Sequence, residues 1–221
     1  MSKPLKTAAF FITVLIPIFL LMTSIRMLLF PVFTQLEYMR PGFPADPYGF
    51  TLEERLKWSR ISVDYLTNGA GIEYLAQHKL DGNIPLFNER ELSHMLDVKN
   101  LVQVMLIAWP LIGIVILGLG VLSMREGWLS VFWLAVSRGG WAAVGLILVV
   151  LFGVLVSFNA LFTGFHRIFF SGDTWLFQFS DTLIRLFPLT FWQDAFILMG
   201  ILMFTGGLIM GILGRHYSRK D

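Results

Sequence analysis

The sequence predicts an all-α membrane protein, a four-transmembrane-helix bundle with a small, mainly helical extracytoplasmic cap inserted between the first and second spans. Three observations carry that prediction. The chain has 221 residues, 56% of them apolar, and a mean hydropathy of +0.69. Four apolar runs reach the roughly 18–20 residues that cross about 30 Å of hydrocarbon. Most of the acidic residues, together with helix-cap motifs and turn dipeptides, gather in one stretch between the first and second of those runs.

The first span occupies residues 1–31. Lys3 and Lys6 precede an almost wholly apolar run over 7–25, which continues past Arg26 to Pro31. A cleaved signal peptide is the competing reading; the apolar part is too long for one and no small-x-small cleavage site follows. Pro17 is tolerated inside a spanning helix when neighbouring helices satisfy the freed carbonyl.

The cap occupies residues 32–98. Arg40-Pro41-Gly42-Phe43-Pro44 is a turn in which no helix persists. Thr51 with Glu54 three residues later reads as a capping box, so a helix runs from there to about Leu66 and stops at Asn68-Gly69. A short helix is expected over 71–79, closed by Asp81-Gly82-Asn83. Asn88 with Glu91 resembles a further helix start, and this helix runs into the second span, 99–122, which Pro110 bends. Residues 123–140 form a cytoplasmic or interfacial connection, where Trp128, Phe132 and Trp133 suit the membrane surface. The third span is 141–161. Residues 162–194 make an aromatic outer loop. The fourth span and a cytoplasmic tail occupy 195–221, with Gly207 and Gly211 spaced for close helix contact.

Charge sets the orientation. Segments 1–6, 123–140 and 214–221 hold Lys3, Lys6, Arg125, Arg138, Arg215, Arg219 and Lys220, and their net charge is +5; the insert 32–98 is −4 and the loop 162–194 is −1. Basic residues mark cytoplasmic loops, so both termini are expected in the cytoplasm, with the insert and the 162–194 loop outside. His94, before the second span, and His166, after the third, then share the outer water–lipid boundary.

Several functions are excluded. The chain has no cysteine, so it offers no disulfide and no thiol nucleophile. It contains no Gly-x-Ser-x-Gly, no His-Glu-x-x-His and no phosphate-cradling glycine loop. With four histidines and no cysteine, no metal site and no cofactor are expected. The sequence pI near 9.0 reflects basic residues at helix ends and does not point to nucleic acid.

What is left for chemistry is the histidines. His94 and Asp97, at i and i+3 on one helix, are neighbours; a carboxylate beside an imidazole fixes its tautomer and suits it to act as a base, though an ordinary surface pair has the same spacing. His166 lies among eleven aromatics between Phe158 and Trp192. An interfacial aromatic belt accounts for such density, and so does a partly dry pocket that strengthens polar contacts. Arg26, Arg167 and Arg185 either snorkel to the interface or bind a lipid or substrate carbonyl. His78 and His216 read as solvated surface residues.

Glu91-Leu92-Ser93-His94-Met95-Leu96-Asp97-Val98-Lys99, Phe165-His166-Arg167-Ile168-Phe169-Phe170, Trp175 and the run from Leu183 through Pro188 to Trp192 together resemble the lipoprotein intramolecular transacylase family, Lit. The resemblance covers nearly the whole chain, including Arg40-Pro41-Gly42-Phe43 and the helix end at Tyr65-Leu66. It implies a multi-pass protein of the bacterial cell membrane with two catalytic histidines. The implied substrate is a diacylglyceryl lipoprotein among membrane lipids, whose sn-2 acyl chain moves from glycerol to the amino group of the N-terminal cysteine and leaves a lyso-form lipoprotein. On this reading His94 and His166 are catalytic, with the carboxylate neighbour favouring His94 as the base. Asp97, Glu91 and Arg167 support or orient them, and Tyr65, Phe165, Phe169, Phe170, Trp175, Arg26 and Trp192 are candidate pocket residues. A non-enzymatic lipid-binding or assembly protein, and another lipid acyl-transfer enzyme using the same histidines, are the competing classes.

Overall fold

The structure, a computed structural model, describes residues 2–220. Among the described residues eight α-helices follow in order: α1 (Lys3–Leu28), α2 (Pro31–Met39), α3 (Leu52–Thr67), α4 (Glu73–Ala76), α5 (Glu89–Arg125), α6 (Leu129–Phe169), α7 (Thr182–Leu186) and α8 (Leu189–Tyr217). A 3-10 turn, Asp81–Asn83, lies between α4 and α5. Among the described residues there is no strand, only one isolated antiparallel bridge between Lys79 and Pro85. Four helices, α1, α5, α6 and α8, are long and apolar enough to cross a membrane.

The chain divides into two compact units. The first comprises residues 1–26, 106–156 and 196–221. Its core gathers Ile12, Ile16 and Leu20 of α1, Trp128 just before α6, Phe132, Ala143 and Ile147 of α6, and Met203 of α8. Small residues let the backbones approach. A Cβ on Gly140 would fall 2.5 Å from the Gly211 nitrogen and 2.6 Å from the Gly207 carbonyl oxygen, and Ser137 Oγ donates to the Gly211 carbonyl at 2.7 Å. Gly207 and Gly211 therefore make the close contact their spacing suggests, and Gly140 is the third member. Near the other end, the Trp109 indole donates to Thr23 Oγ1 at 2.9 Å.

Two helix limits differ from the sequence expectation here. The third long helix starts at Leu129, so the connection shrinks to Glu126-Gly127-Trp128, with Gly127 at φ +73° closing the turn. Trp128 and Phe132 are buried in the core. The helix also continues past residue 161 to Phe169, but its backbone is extended at Ser157 (φ −162°, ψ 93°). The Ser157 hydroxyl accepts from the Ala160 N–H at 3.3 Å, an N-cap that restarts the helix.

The second unit comprises residues 27–105 and 157–195. The capping box at the start of α3 forms as expected: Thr51 Oγ1 accepts from the Glu54 N–H at 3.2 Å and Glu54 Oε2 accepts from the Thr51 N–H at 2.8 Å. The helix ends at Thr67 with Asn68 as C-cap. Its end carbonyls are taken up from α5, where Gln103 donates to Leu66 O at 2.9 Å and Asn68 O at 3.3 Å, while Lys99 Nζ donates to the Asn68 side-chain oxygen at 3.1 Å. The expected short second helix is present but contracted to α4. Helix α2 is an element the sequence reading did not anticipate. Pro31, taken as the end of the first span, is instead its first residue, a position where the missing N–H costs nothing.

The core of this unit packs Phe50, Trp58, Tyr65, Leu75, Leu86, Phe87 and Met95 against Leu183 and Leu186 of α7. Polar ties hold the loops to it. Arg185 binds Asp46 through Nε at 3.0 Å and its terminal nitrogen at 2.9 Å, with its guanidinium 3.4 Å above the Phe50 ring centre. Arg40 bridges Glu37 at 2.7 Å and Asp194. Buried Arg55 donates to Pro44 O at 2.8 Å. Arg185 is therefore an internal strut, neither snorkelling nor free for a ligand.

Candidate active site

Helix α5 begins with a second capping box. Asn88 Oδ1 accepts from the Glu91 N–H at 3.0 Å, and Glu91 Oε2 accepts from the Asn88 N–H at 2.8 Å. The other Glu91 oxygen, Oε1, accepts from the Leu183 N–H at 2.7 Å. This carboxylate is 1% exposed, and it ties the start of α5 to the start of α7. Thr182 Oγ1 donates to Leu86 O at 2.5 Å beside it. His94 stands one turn further along α5, so its position is fixed by the Glu91 clamp.

The restarted segment of α6 presents Phe158, Phe162 and His166 on one face, at i, i+4 and i+8. Phe158 and Phe162 lie 5.6 Å apart between ring centres, and Phe162 and His166 lie 4.2 Å apart. The two imidazoles meet with centroids 6.0 Å apart and planes inclined by 24°. Both are 8% exposed.

Aromatic rings enclose the pair. Phe170 touches both imidazoles, at 5.0 Å from His94 and 5.5 Å from His166. Phe177 closes on His94 at 5.3 Å, and Trp175 on His166 at 4.9 Å. Phe165 meets His166 edge-on at 5.5 Å. Rings packed this closely leave polar contacts among them poorly screened.

The hydrogen bonds separate the two histidines. His166 Nδ1 lies 2.8 Å from the Phe162 carbonyl oxygen. A carbonyl only accepts, so Nδ1 carries the proton, and in the neutral ring Nε2 keeps the lone pair. His94 Nδ1 is buried and finds no hydrogen-bond partner within the protein. The Asp97 carboxylate that the i, i+3 spacing suggested as its orienting group does not reach that nitrogen. The tautomer is fixed on the other histidine, and by a backbone carbonyl rather than a carboxylate.

The remaining expected residues scatter. Phe169 packs on Phe165 at 4.8 Å, one ring removed from His166. Trp192 reaches Phe162 at 6.0 Å and is 37% exposed. Arg167 is exposed. Tyr65 sits instead in the core of the second unit, under Lys99 Nζ at 4.0 Å and stacked on Tyr74 at 6.3 Å. Arg26 is in the last turn of α1, in the first unit. Phe162 and Phe177 are contacts that sequence reasoning missed. The i, i+4 spacing from His166 signalled Phe162; nothing local distinguished Phe177 from the other aromatics of its loop. Among the described residues, no group of three or more metal-ligating side chains forms.

A protein of Aquifex aeolicus described only as uncharacterized is 29% identical over 220 residues, covering 97% of each chain. The structure of the membrane integral lipoprotein intramolecular transacylase Lit from Bacillus cereus superposes with a TM-score of 0.82, covering 100% of this chain and 98% of that one at 18% identity. A form of the same Bacillus protein with a histidine replaced by arginine gives a TM-score of 0.73 at 18% identity, covering 98% of this chain and 92% of that one. The family model described as lipoprotein intramolecular transacylase Lit matches residues 10–192. A multi-pass membrane protein with four apolar helices and this match along most of its length belongs to the Lit family of lipoprotein intramolecular transacylases.

Proposed function

We propose that this chain moves the sn-2 acyl group of a diacylglyceryl lipoprotein from its glycerol oxygen to the amino group of the same molecule's N-terminal cysteine, with His94 and His166 as the catalytic pair. The observation that carries the reading is the pair of buried imidazoles, 6.0 Å apart inside an aromatic shell, in a chain of the Lit family. The cap and the 162–194 loop face the extracytoplasmic side and both termini face the cytoplasm, as the charge distribution favours.

The chemistry needs what such a pocket offers. Nitrogen, Cα, Cβ, sulfur, two glycerol carbons, the ester oxygen and the acyl carbon form an eight-membered ring as the amine attacks the ester. Medium rings close poorly in solution. Folding the substrate so that amine and ester touch contributes up to several kcal/mol of the barrier reduction. The substrate's ammonium group, with a pKa near about 8, gives one proton to solvent to become the attacking amine; the amine loses a second as the amide forms, and the glycerol oxygen gains one as its bond to the acyl carbon breaks.

The hydrogen bond from His166 Nδ1 to Phe162 O favours His166 as the group that takes the amine proton at Nε2. That reverses the order suggested by the Asp97 spacing. The proton so gained passes on to the departing glycerol oxygen with His94, which faces His166, as the relay, so both imidazoles end the turnover neutral. The nitrogen–carbon bond forms, the carbon–oxygen bond breaks, and one proton passes from nitrogen to oxygen. No acyl-enzyme is needed, and the cysteine of the reaction belongs to the substrate. Glu91 keeps His94 in register, and Phe170 forms the wall common to both imidazoles.

The test is replacement of each histidine by Asn, followed by mass analysis of lipoprotein N-termini in cells that depend on this chain. Each variant should accumulate in the membrane and lose lyso-form product by roughly 10²–10⁴-fold, the usual worth of a general acid or base. Near-normal product from either variant would remove that residue from the mechanism.

A further inference from the structure

Away from the histidines, α2 and α3 enclose a groove of about 270 Å³ lined by Pro31, Thr34, Gln35, Leu56, Lys57, Ser59 and Arg60. From its position and its donors, we propose that this groove is a binding site for the phosphate of an anionic phospholipid headgroup, separate from the site of acyl transfer.

Its lining is built for an acceptor-only ligand. Thr34 is 3% exposed, yet its hydroxyl has no hydrogen-bond partner within the protein. Inside a helix such a hydroxyl ordinarily bonds a carbonyl of the preceding turn, and buried polar atoms are rarely left without a partner. Lys57 and Arg60, at i and i+3, share one face of α3. Two of their acidic neighbours, Asp64 and Glu54, are weakly coupled or engaged elsewhere. Asp64 approaches Arg60 only to 3.8 Å, and both side chains are exposed. Glu54 accepts the N–H and the hydroxyl of Thr51 at the helix cap. Lys57, whose ammonium also rests over the Trp58 ring at 4.1 Å, and Arg60 therefore stand beside a groove that the Gln35 amide and the Thr34 side chain line. Phosphate, with charge and several acceptor oxygens, satisfies them.

The surface beside the groove indicates where that phosphate comes from. Helix α2 exposes Val32, Leu36 and Met39, each about 60% accessible, at i, i+4 and i+7. Phe30, just before the helix, is also exposed. This is an apolar stripe on a short helix that directly follows the membrane-length α1. Such a helix settles at the boundary of acyl chains and headgroups. The stripe then meets the lipid chains, and the groove on its polar flank lies at headgroup level, where basic residues attract anionic lipid. The volume is smaller than a drug-sized pocket and suits a headgroup rather than a whole lipid.

The test uses the full-length protein in a neutral detergent, titrated separately with phosphatidylglycerol, with diacylglycerol and with inorganic phosphate, with bound ligand read by native mass spectrometry. Phosphatidylglycerol should bind, diacylglycerol should not, and inorganic phosphate should compete only at far higher concentration. The double variant Lys57→Ala/Arg60→Ala should weaken phosphatidylglycerol binding about tenfold or more. Thr34→Val, which keeps shape and removes only the hydroxyl, should weaken it by a smaller factor with unchanged thermal stability. Unchanged binding by the double variant, or equal binding of phosphatidylglycerol and diacylglycerol, overturns the phosphate site. Inorganic phosphate binding as tightly as the lipid overturns the lipid source. None of these residues touches the histidine pair, so acyl transfer in neutral detergent should be unaffected.

Discussion

Glu91 connects most of the residue-level features of the site. Its two oxygens accept N–H groups from the α5 cap and from α7, so a single buried carboxylate sets where His94 stands relative to the loop that carries Phe177. Gln at this position has the same shape but presents an NH₂ to one of those two N–H groups. Glu91→Gln should therefore lower stability by about 1–3 kcal/mol, the usual cost of an unsatisfied buried donor. Turnover should fall more than substrate affinity does, because a displaced imidazole affects the transition state first. Steady-state kinetics on a synthetic lipopeptide, beside thermal unfolding in detergent, check both. That His94 and His166 meet was legible through the expected topology and the resemblance to the Lit family, since each histidine alone also had an ordinary structural reading. Their hydrogen bonds were not legible: the carbonyl that fixes His166 belongs to the backbone, which carries no sequence signal.

At the scale of elements, the close approach in the first unit makes a sharp prediction. Gly140→Ala would put a methyl group 2.5 Å from backbone atoms near Gly211. Overpacking of this kind costs roughly 1–3 kcal/mol, against a gain in helix propensity of about 1 kcal/mol. The variant should unfold at lower temperature, whereas alanine at Gly118, which has open space, should be neutral or stabilising. The same glycine explains why the start of α6 was misplaced in the sequence reading. Gly139 and Gly140 looked like the end of a connection, but they are glycines of helix packing, Gly139 facing Ile16 and Gly140 facing Gly211. The caps of α3 and α5 were readable because each is a local exchange of hydrogen bonds within four residues. The break at Ser157 carries no proline or glycine of its own, and α2 was hidden because Pro31 reads equally as a helix end or a helix start.

On the scale of the whole molecule, the absence of cysteine makes orientation directly measurable. Single substitutions Ser180→Cys and Ser218→Cys, probed in intact cells with a membrane-impermeant maleimide, should label at 180 and stay protected at 218. The reverse pattern would invert the assignment of both termini to the cytoplasm.

Acid tolerance is a second global property. Burial pushes the Asp46 carboxyl up, but the Phe50 N–H, the Arg185 guanidinium and the Tyr48 N–H outweigh it and hold it below the usual carboxylate range. A carboxyl lowered on folding stabilises the folded state fully above its unfolded pKa, near about 3.9, and loses that contribution as pH falls through the folded value. Asp46→Asn should thus cost about 2 kcal/mol at neutral pH. The difference from the parent protein should shrink only below about pH 4.

The most direct measurement concerns the transfer itself. Purified protein would be given an equal mixture of two diacylglyceryl lipopeptides, one with heavy isotope in both the sn-2 acyl chain and the peptide, the other light throughout, and the products would be weighed. Two imidazoles acting on the amine and ester of one bound molecule predict only heavy-on-heavy and light-on-light amides, with none formed by His94→Asn or His166→Asn. Crossed heavy-light products, free fatty acid as the main product, or undiminished amide from either variant would contradict the account.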